Sequence, residues 1–293
     1  MNAQKTAVMM DSCGDLPIDI RRQYNIYTLP VHVIYPEGDY LDGIDIDPRV
    51  VYDRFPEEIP KTSTPSPQEA IDLFERIRED GYENVVCICI SSRLSSTVNT
   101  IRIASEEVEG LRAFVFDTKN IDIGSGIFAY WTARKLEEGM TFEEICEKLE
   151  EKRYDSHLMF FMDTLKYLIA GGRIGRVAGM LGEALKLKPI ISCDKEGVYY
   201  TVSKIRGKKN GQKKLLDLLA REAEGHECWI VVGHGDADKE SEAFLEKVKE
   251  RIPQAEFLFR HQIVASMAIN TGPGLIGLLV LIDPRCHPGI HSH

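Results

Sequence analysis

Residues 82–100 read YENVVCICISSRLSSTVNT, and the way this stretch folds decides the architecture around it. Val85 to Ile90 form a near-continuous apolar run of strand length, the pattern of a strand covered on both faces. The run stops at Ser91. Of residues 90–100, six carry a hydroxyl: Ser91, Ser92, Ser95, Ser96, Thr97 and Thr100. A helix is predicted from there through STVNTIRIASEEVEG (96–110), with Ser95 or Ser96 as its N-cap. A buried strand passing directly into a helix is one repeat of a parallel α/β sheet.

The flanking sequence repeats the unit. KTAVMMDS (5–12) and AFVFDT (113–118) read as strands, and so does YTLPVHVIY (27–35). LPIDIRRQY (16–24) reads as a short helix. SPQEAIDLFERIRED (66–80) is a helix by the spacing of Ala70, Ile71, Phe74 and Ile77. SGIFAYWTARKLEEG (125–139) is another, with Gly139 as its stop. TFEEICEKLEEKR (141–153) opens with a capping box, Thr141 and Glu144. The pattern then changes. SHLMFFMD (156–163) is strand-like and runs into a glycine-rich segment. PIISCDKEGVYYTVSKI (189–205) reads as two strands about a turn. ECWIVVGHG (227–235), EFLFRHQI (256–263) and LIGLLVLID (275–283) read as further strands, with helices between at 213–225 and 241–252. The expected fold is therefore two α/β domains, residues 1–155 and 156–293. The first has a largely parallel sheet flanked by helices, and the second is an α/β sheet domain.

Composition excludes several functions. The 293 residues carry a net charge of −10, so a nucleic acid or an anionic membrane surface is not the expected partner. No apolar run approaches the roughly 20 residues that span a bilayer, and no stable membrane insertion is expected. The start, MNAQKTAVMMDSCGD, lacks the charged and long apolar regions of a signal peptide. Seven cysteines with no CxxC fit a reducing cytoplasm rather than a disulfide framework. Cys87 and Cys89 face the same side of their strand and read as small core residues. Neither GxSxG, GxxxxGK[ST], a GxGxxG after the first strand, nor HExxH occurs. The tail HPGIHSH is read as a flexible end.

Ligands of open α/β sheets bind beyond the carboxyl ends of the strands. Hydroxyl or acidic clusters occupy four predicted strand ends: DSCGD (11–15), TSTPSP (62–67), SSRLSST (91–97) and FDTKNIDIGSG (116–126). On one edge of a parallel sheet they build a polar wall of hydroxyls and free N–H groups, suited to a negative or strongly accepting head group. The glycines of GGR (171–173) and NTGPG (270–274) let backbone approach a ligand closely, and Arg173 stands beside the first of these as a cation.

In chain order, MDSCGDL, KTSTPSP, SSRLSST, TLKYLIAGGRIG, LKLKPII, KIRGKK and NTGPGLIG together resemble the DegV family of bacterial fatty-acid-binding proteins, which includes the FakB subunit of fatty acid kinase. The resemblance spans nearly the whole chain. It implies a long-chain fatty acid, C14–C18, in a tunnel between the two domains, its carboxyl group held by small hydroxyls. It also implies a FakA-type kinase subunit as partner, to which the carboxyl group is presented for acyl phosphate formation, with no ATP site and no catalytic residue in this chain.

Carried over by motif, the carboxyl-binding residues are Thr62, Ser63, Ser95, Ser96, Thr97 and Asn270. Gly172, Arg173, Thr271 and Gly272 lie near the head group, and Arg173 and Arg206 are candidates for kinase docking. The family pattern has glycine where this chain has Ser96, and histidine where it has Asn270. Asparagine donates and accepts but takes no charge, so the resemblance carries no ionising role for that position. HLMFFMDTLKYLIAG and VAGMLGEAL, with Met159, Phe160, Phe161 and Met162 foremost, are the expected tunnel lining. Two rival readings remain. One is a phosphoryl- or acyl-transfer enzyme that uses the hydroxyl loops on a phosphate. The other is a lipid-responsive regulatory protein.

Overall fold

The computed structural model describes residues 2–180 and 187–282. Three sheets organise it. The strands and helices of the first sheet alternate as β1 (Thr6–Asp11), α1 (Ile18–Gln23), β2 (Tyr27–Leu29), and then, after a smaller sheet, α3, β6, α4 and β7. Here α3 is Pro67–Glu79, β6 is Asn84–Cys89, α4 is Thr97–Glu107 and β7 is Arg112–Asp117. The strand order is β2-β1-β6-β7 and every pairing is parallel. Residues Val85 to Cys89 are all buried, as the apolar run requires.

The smaller sheet is antiparallel, with β3 (His32–Tyr35) between β4 (Gly38–Leu41) and β5 (Lys61–Ser63). The short helix α2 (Pro48–Arg54) lies between β4 and β5 in sequence. YTLPVHVIY is thus two strands in two sheets. Pro30, which has no N–H for a ladder, stands at the break. TSTPSP is likewise displaced from its expected place. Thr62 and Ser63 belong to the antiparallel sheet, paired with Val33 and His32, and not to a strand end of the parallel one.

The third sheet has six strands in the order β10-β9-β8-β13-β11-β12. They are β8 (Ser156–Phe161), β9 (Lys188–Cys193), β10 (Tyr199–Ile205), β11 (Cys228–Gly235), β12 (Glu256–Gln262) and β13 (Leu275–Ile282). Only β11 and β12 run parallel; the other pairings are antiparallel. Helices α8 (Lys208–Glu222) and α9 (Asp238–Arg251) pack on this sheet, while α7 (Lys166–Ala170) and α10 (Ala265–Thr271) pack on each other.

Helix α5 (Ile123–Glu137) joins the two halves. It is buried on every side except Arg134 and Glu137, as expected of a helix with apolar residues all round. It packs against β1 and β6 and also against β8 and β13. Its first turn lies so close to the turn after β1 that a Cβ on Gly126 would sit 1.9 Å from the Gly14 carbonyl oxygen. One apolar core runs through this helix, from Val8 and Ile88 to Phe160 and Leu279. Helix α6 (Phe142–Lys152) follows and carries the expected Thr141–Glu144 capping box. Among the described residues no helix is long and apolar enough to cross a membrane. The tail from residue 283 and residues 181–186, which include the last five of VAGMLGEAL, lie outside the described residues.

Candidate functional site

The turn after β1 links the halves through its polar side chains. Asp42, wholly buried, accepts from Ser12 Oγ (2.9 Å), Ser266 N (2.9 Å) and Ser266 Oγ (2.6 Å). Ser12 Oγ in turn accepts from Val31 N at 3.1 Å. Asp11 accepts from Ile90 N at 2.9 Å, and burial pushes its carboxyl pKa up to about 7. Asp15 accepts from Val264 N at 3.1 Å. The turns after β1 and β4 are thereby held against the start of α10, and those after β2 and β6 against the end of β1 and its turn. The several donors on Asp42 offset part of the cost of burying it.

These contacts leave a cleft of about 60 Å³. The first half of the chain contributes Cys13, Val31, Thr62, Ser63, Thr64, Ile90, Leu94, Ser95 and Ile121 to its lining. The second half contributes Arg173, Tyr199, Ser266, Met267, Asn270 and Thr271. The first set precedes residue 122 and the second follows residue 172, so both halves of the chain contribute. The floor is apolar, with Val31, Ile90 and Ile121 all buried. Hydroxyl and amide groups stand around it. Tyr199 is buried too, and burial holds its phenol neutral, well above the usual tyrosine range.

Ser95 and Thr97 act as a pair. Ser95 Oγ lies 2.8 Å from Thr97 Oγ1 and accepts from Thr97 N at 3.3 Å. Thr97 is wholly buried and stands behind Ser95, away from the cleft lining. Ser96 is exposed and sits at the N-cap of α4 without a capping hydrogen bond from its side chain. The first-turn hydroxyl bond therefore comes from Ser95, one residue earlier, and leaves Ser96 facing solvent.

Asn270 donates from Nδ2 to Ser266 O at 3.0 Å. A Cβ on Gly171 would fall 2.0 Å from its Oδ1, so a larger residue there would displace the Asn270 amide. Thr271 Oγ1 donates to Met267 O at 2.9 Å. Gly272 lies against the Tyr167 ring and Gly172 is exposed; neither lines the cleft. Arg173 is exposed at the lip, its Nη1 donating to Gly171 O at 2.6 Å. Arg206 is exposed between β10 and α8, off the cleft.

Of the predicted residues, the structure therefore brings Thr62, Ser63, Ser95, Arg173, Asn270 and Thr271 to one cleft, and leaves Ser96, Thr97, Gly172, Gly272 and Arg206 outside its lining. Met159, Phe160, Phe161 and Met162 do not line it either. Strand alternation sends Phe160 into the core shared with α5, and Met159 and Phe161 into the core under α8 and α9. Cys13 and Ile121 fall in stretches already marked as hydroxyl clusters. Tyr199, Ser266 and Met267 have no sequence signal, because a tyrosine in a strand and a Ser-Met pair in a short helix read as ordinary core.

The DegV family profile matches residues 5–283. The chain belongs to the DegV family. A DegV domain-containing protein of Clostridium acetobutylicum is 38% identical over 280 residues, covering 94% of this chain and 99% of its own length. Among solved structures, a DegV family protein of Thermus thermophilus described as fatty acid binding superposes with a TM-score of 0.88 at 30% identity, covering 97% of this chain and all of its own. DegV of Bacillus subtilis, described as a fatty acid binding protein, gives 0.87 at 28% identity, with coverage of 97% and 100%. A stearic acid-binding protein of Eubacterium ventriosum gives 0.87 at 26% identity, with coverage of 94% and 98%. The α/β architecture of this chain is the DegV fold.

Proposed function

We propose that this DegV family protein binds one long-chain fatty acid, C14–C18, between an N-terminal unit ending near residue 155 and a C-terminal unit that follows. The carboxyl group is held by Thr62, Ser63, Ser95 and Asn270, and the protein presents it at the Arg173 lip to a kinase subunit of the FakA type in the cytoplasm. The observation that carries the reading is the cleft itself: an apolar floor rimmed by neutral hydroxyls, contributed by both halves. Solved relatives of the same fold are described as fatty acid binding, one of them with stearic acid.

The energetics agree. Burying a C16 chain contributes on the order of 11–12 kcal/mol at about 0.8 kcal/mol per CH₂, enough to leave useful affinity after the cost of association. The head group then needs orientation more than strength. Neutral hydroxyls supply that without a buried opposing charge. Arg173, the one cation among the lining residues, stands at the lip where a second protein can reach.

Denaturing extraction of the purified protein, followed by mass spectrometry, tests this. A C14–C18 fatty acid near one per chain is expected. A chain that yields none, and stays empty after incubation with oleate and palmitate, rejects the carrier reading.

A further inference from the structure

Behind the cleft wall lies a second cluster. Asp15 comes from the turn after β1, Asp122 from the residue before α5, and His261 from β12. One ligand atom from each lies within 4.8 Å of the others. Asp15 Oδ2 is 3.3 Å from His261 Nε2, and Asp15 and Asp122 are in hydrogen-bonding contact. The His261 side chain is only 9% exposed and that of Asp15 only 4%. Asp122 Oδ1 and His261 Nδ1 are both buried with no hydrogen-bond partner. Beside them β11 carries no side chain: a Cβ on Gly233 would sit 3.6 Å from His261 Cε1 and 3.8 Å from Asp122 Oδ2.

Two buried carboxyl groups in contact are held together either by a shared proton or by a cation between them. The guanidinium of Arg21 is close enough to act on Asp15 through its charge, while its Nη1 donates to Thr28 Oγ1. Two carboxylates and an imidazole are a donor set for first-row divalent metals. Bonds of about 2.1 Å to one ion would close the observed spacing with sub-ångström shifts. We propose that Asp15, Asp122 and His261 form a binding site for a divalent transition-metal cation that ties β1 and α5 to β12. Such an ion would satisfy the unpartnered Asp122 oxygen and join the two halves behind the cleft. The site is separate from the fatty-acid reading, and each stands if the other fails.

Metal analysis of the full chain, with Mn²⁺ and Zn²⁺ added to chelator-treated protein, tests the site. Near one ion per chain is expected, with a rise in melting temperature of several degrees. Both are lost in Asp122→Asn and weakened at least tenfold in His261→Gln. Two results would overturn the proposal. One is chelator-treated protein that takes up neither ion and whose melting temperature neither ion moves. The other is metal uptake that Asp122→Asn and His261→Gln leave unchanged. The first measurement needs no variant, so a variant that fails to fold does not obscure the answer.

Discussion

Ser95 shows what one residue contributes and how far it is legible in advance. Its place after a buried strand marks it as a ligand-side hydroxyl, and the cleft has it there, braced by Thr97. Its neighbour Ser96 carries the same signal and faces solvent. Composition cannot separate the two, because a rotation of about 100° per residue at a helix start decides which one turns inward. Ser266 is the opposite case. It lines the cleft and donates to Asp42, 224 residues away, a pairing that no local pattern carries. Thr62 and Ser95 are read as holding the same carboxyl group, so they are tested together in one double variant. Thr62→Ala with Ser95→Ala is expected to weaken oleate binding by roughly 10- to 30-fold, at about 1 kcal/mol per lost hydrogen bond, while far-UV circular dichroism stays unchanged. Unaltered affinity in a titration would remove these hydroxyls from the head-group site.

At the level of elements, strong periodicity and explicit caps were legible and short antiparallel strands were not. Helix α3 is the clear instance. Ser66 Oγ accepts from Glu69 N at 3.3 Å, Glu69 Oε2 accepts from Ser66 N at 2.7 Å, and Pro67 takes the first helical position. The same glutamate reaches His32 Nε2 of β3 at 3.0 Å. Strand β5, three residues long, has no periodicity of its own and owes its pairing to β3. That is why Thr62 and Ser63 read as a loop. Replacing Ser66 by alanine should cost about 1 kcal/mol, seen as a lower urea midpoint with an unchanged slope. Oleate affinity should hold, since no residue of α3 lines the cleft. A drop in affinity matching the drop in stability would mean that the α3 cap supports the site.

For the molecule as a whole, alternation of strand and helix before residue 153 makes the parallel sheet legible, and the change of pattern after it announces a second sheet. The mostly antiparallel order of that sheet is not legible, because strand order rests on contacts far apart in sequence. Nor is the buried acid layer between the sheets, which shapes how stability follows pH. Asp11 ionises near pH 7 in the folded chain, against 3.8 as the ordinary value, chiefly because it is buried. A raised carboxyl pKa means that the folded chain holds its proton more tightly than the unfolded chain does. The stabilisation is complete below about pH 4 and is lost as pH rises to about 7. Asp11→Asn removes that dependence. The melting temperature of the variant, relative to the parent, should climb between pH 5 and 8, by an amount equivalent to a few kcal/mol. A constant difference across that range would show that Asp11 is already ionised when folded.

The turn between β9 and β10 carries one more consequence. Ser91 Oγ donates to Gly197 O at 2.8 Å, and a Cβ on Gly197, whose φ is +83°, would fall 2.0 Å from Ser91 Oγ. Hairpin tips are ordinarily the safest places to lengthen a chain. This one is wedged against the opposite half of the molecule. Anyone splicing in an epitope, a fluorophore or a circular-permutation junction should pass it over in favour of the turns at Gly110 or Gly225, keeping the glycine itself because its φ is +80° or +77°, since there an added Cβ meets nothing within 4 Å.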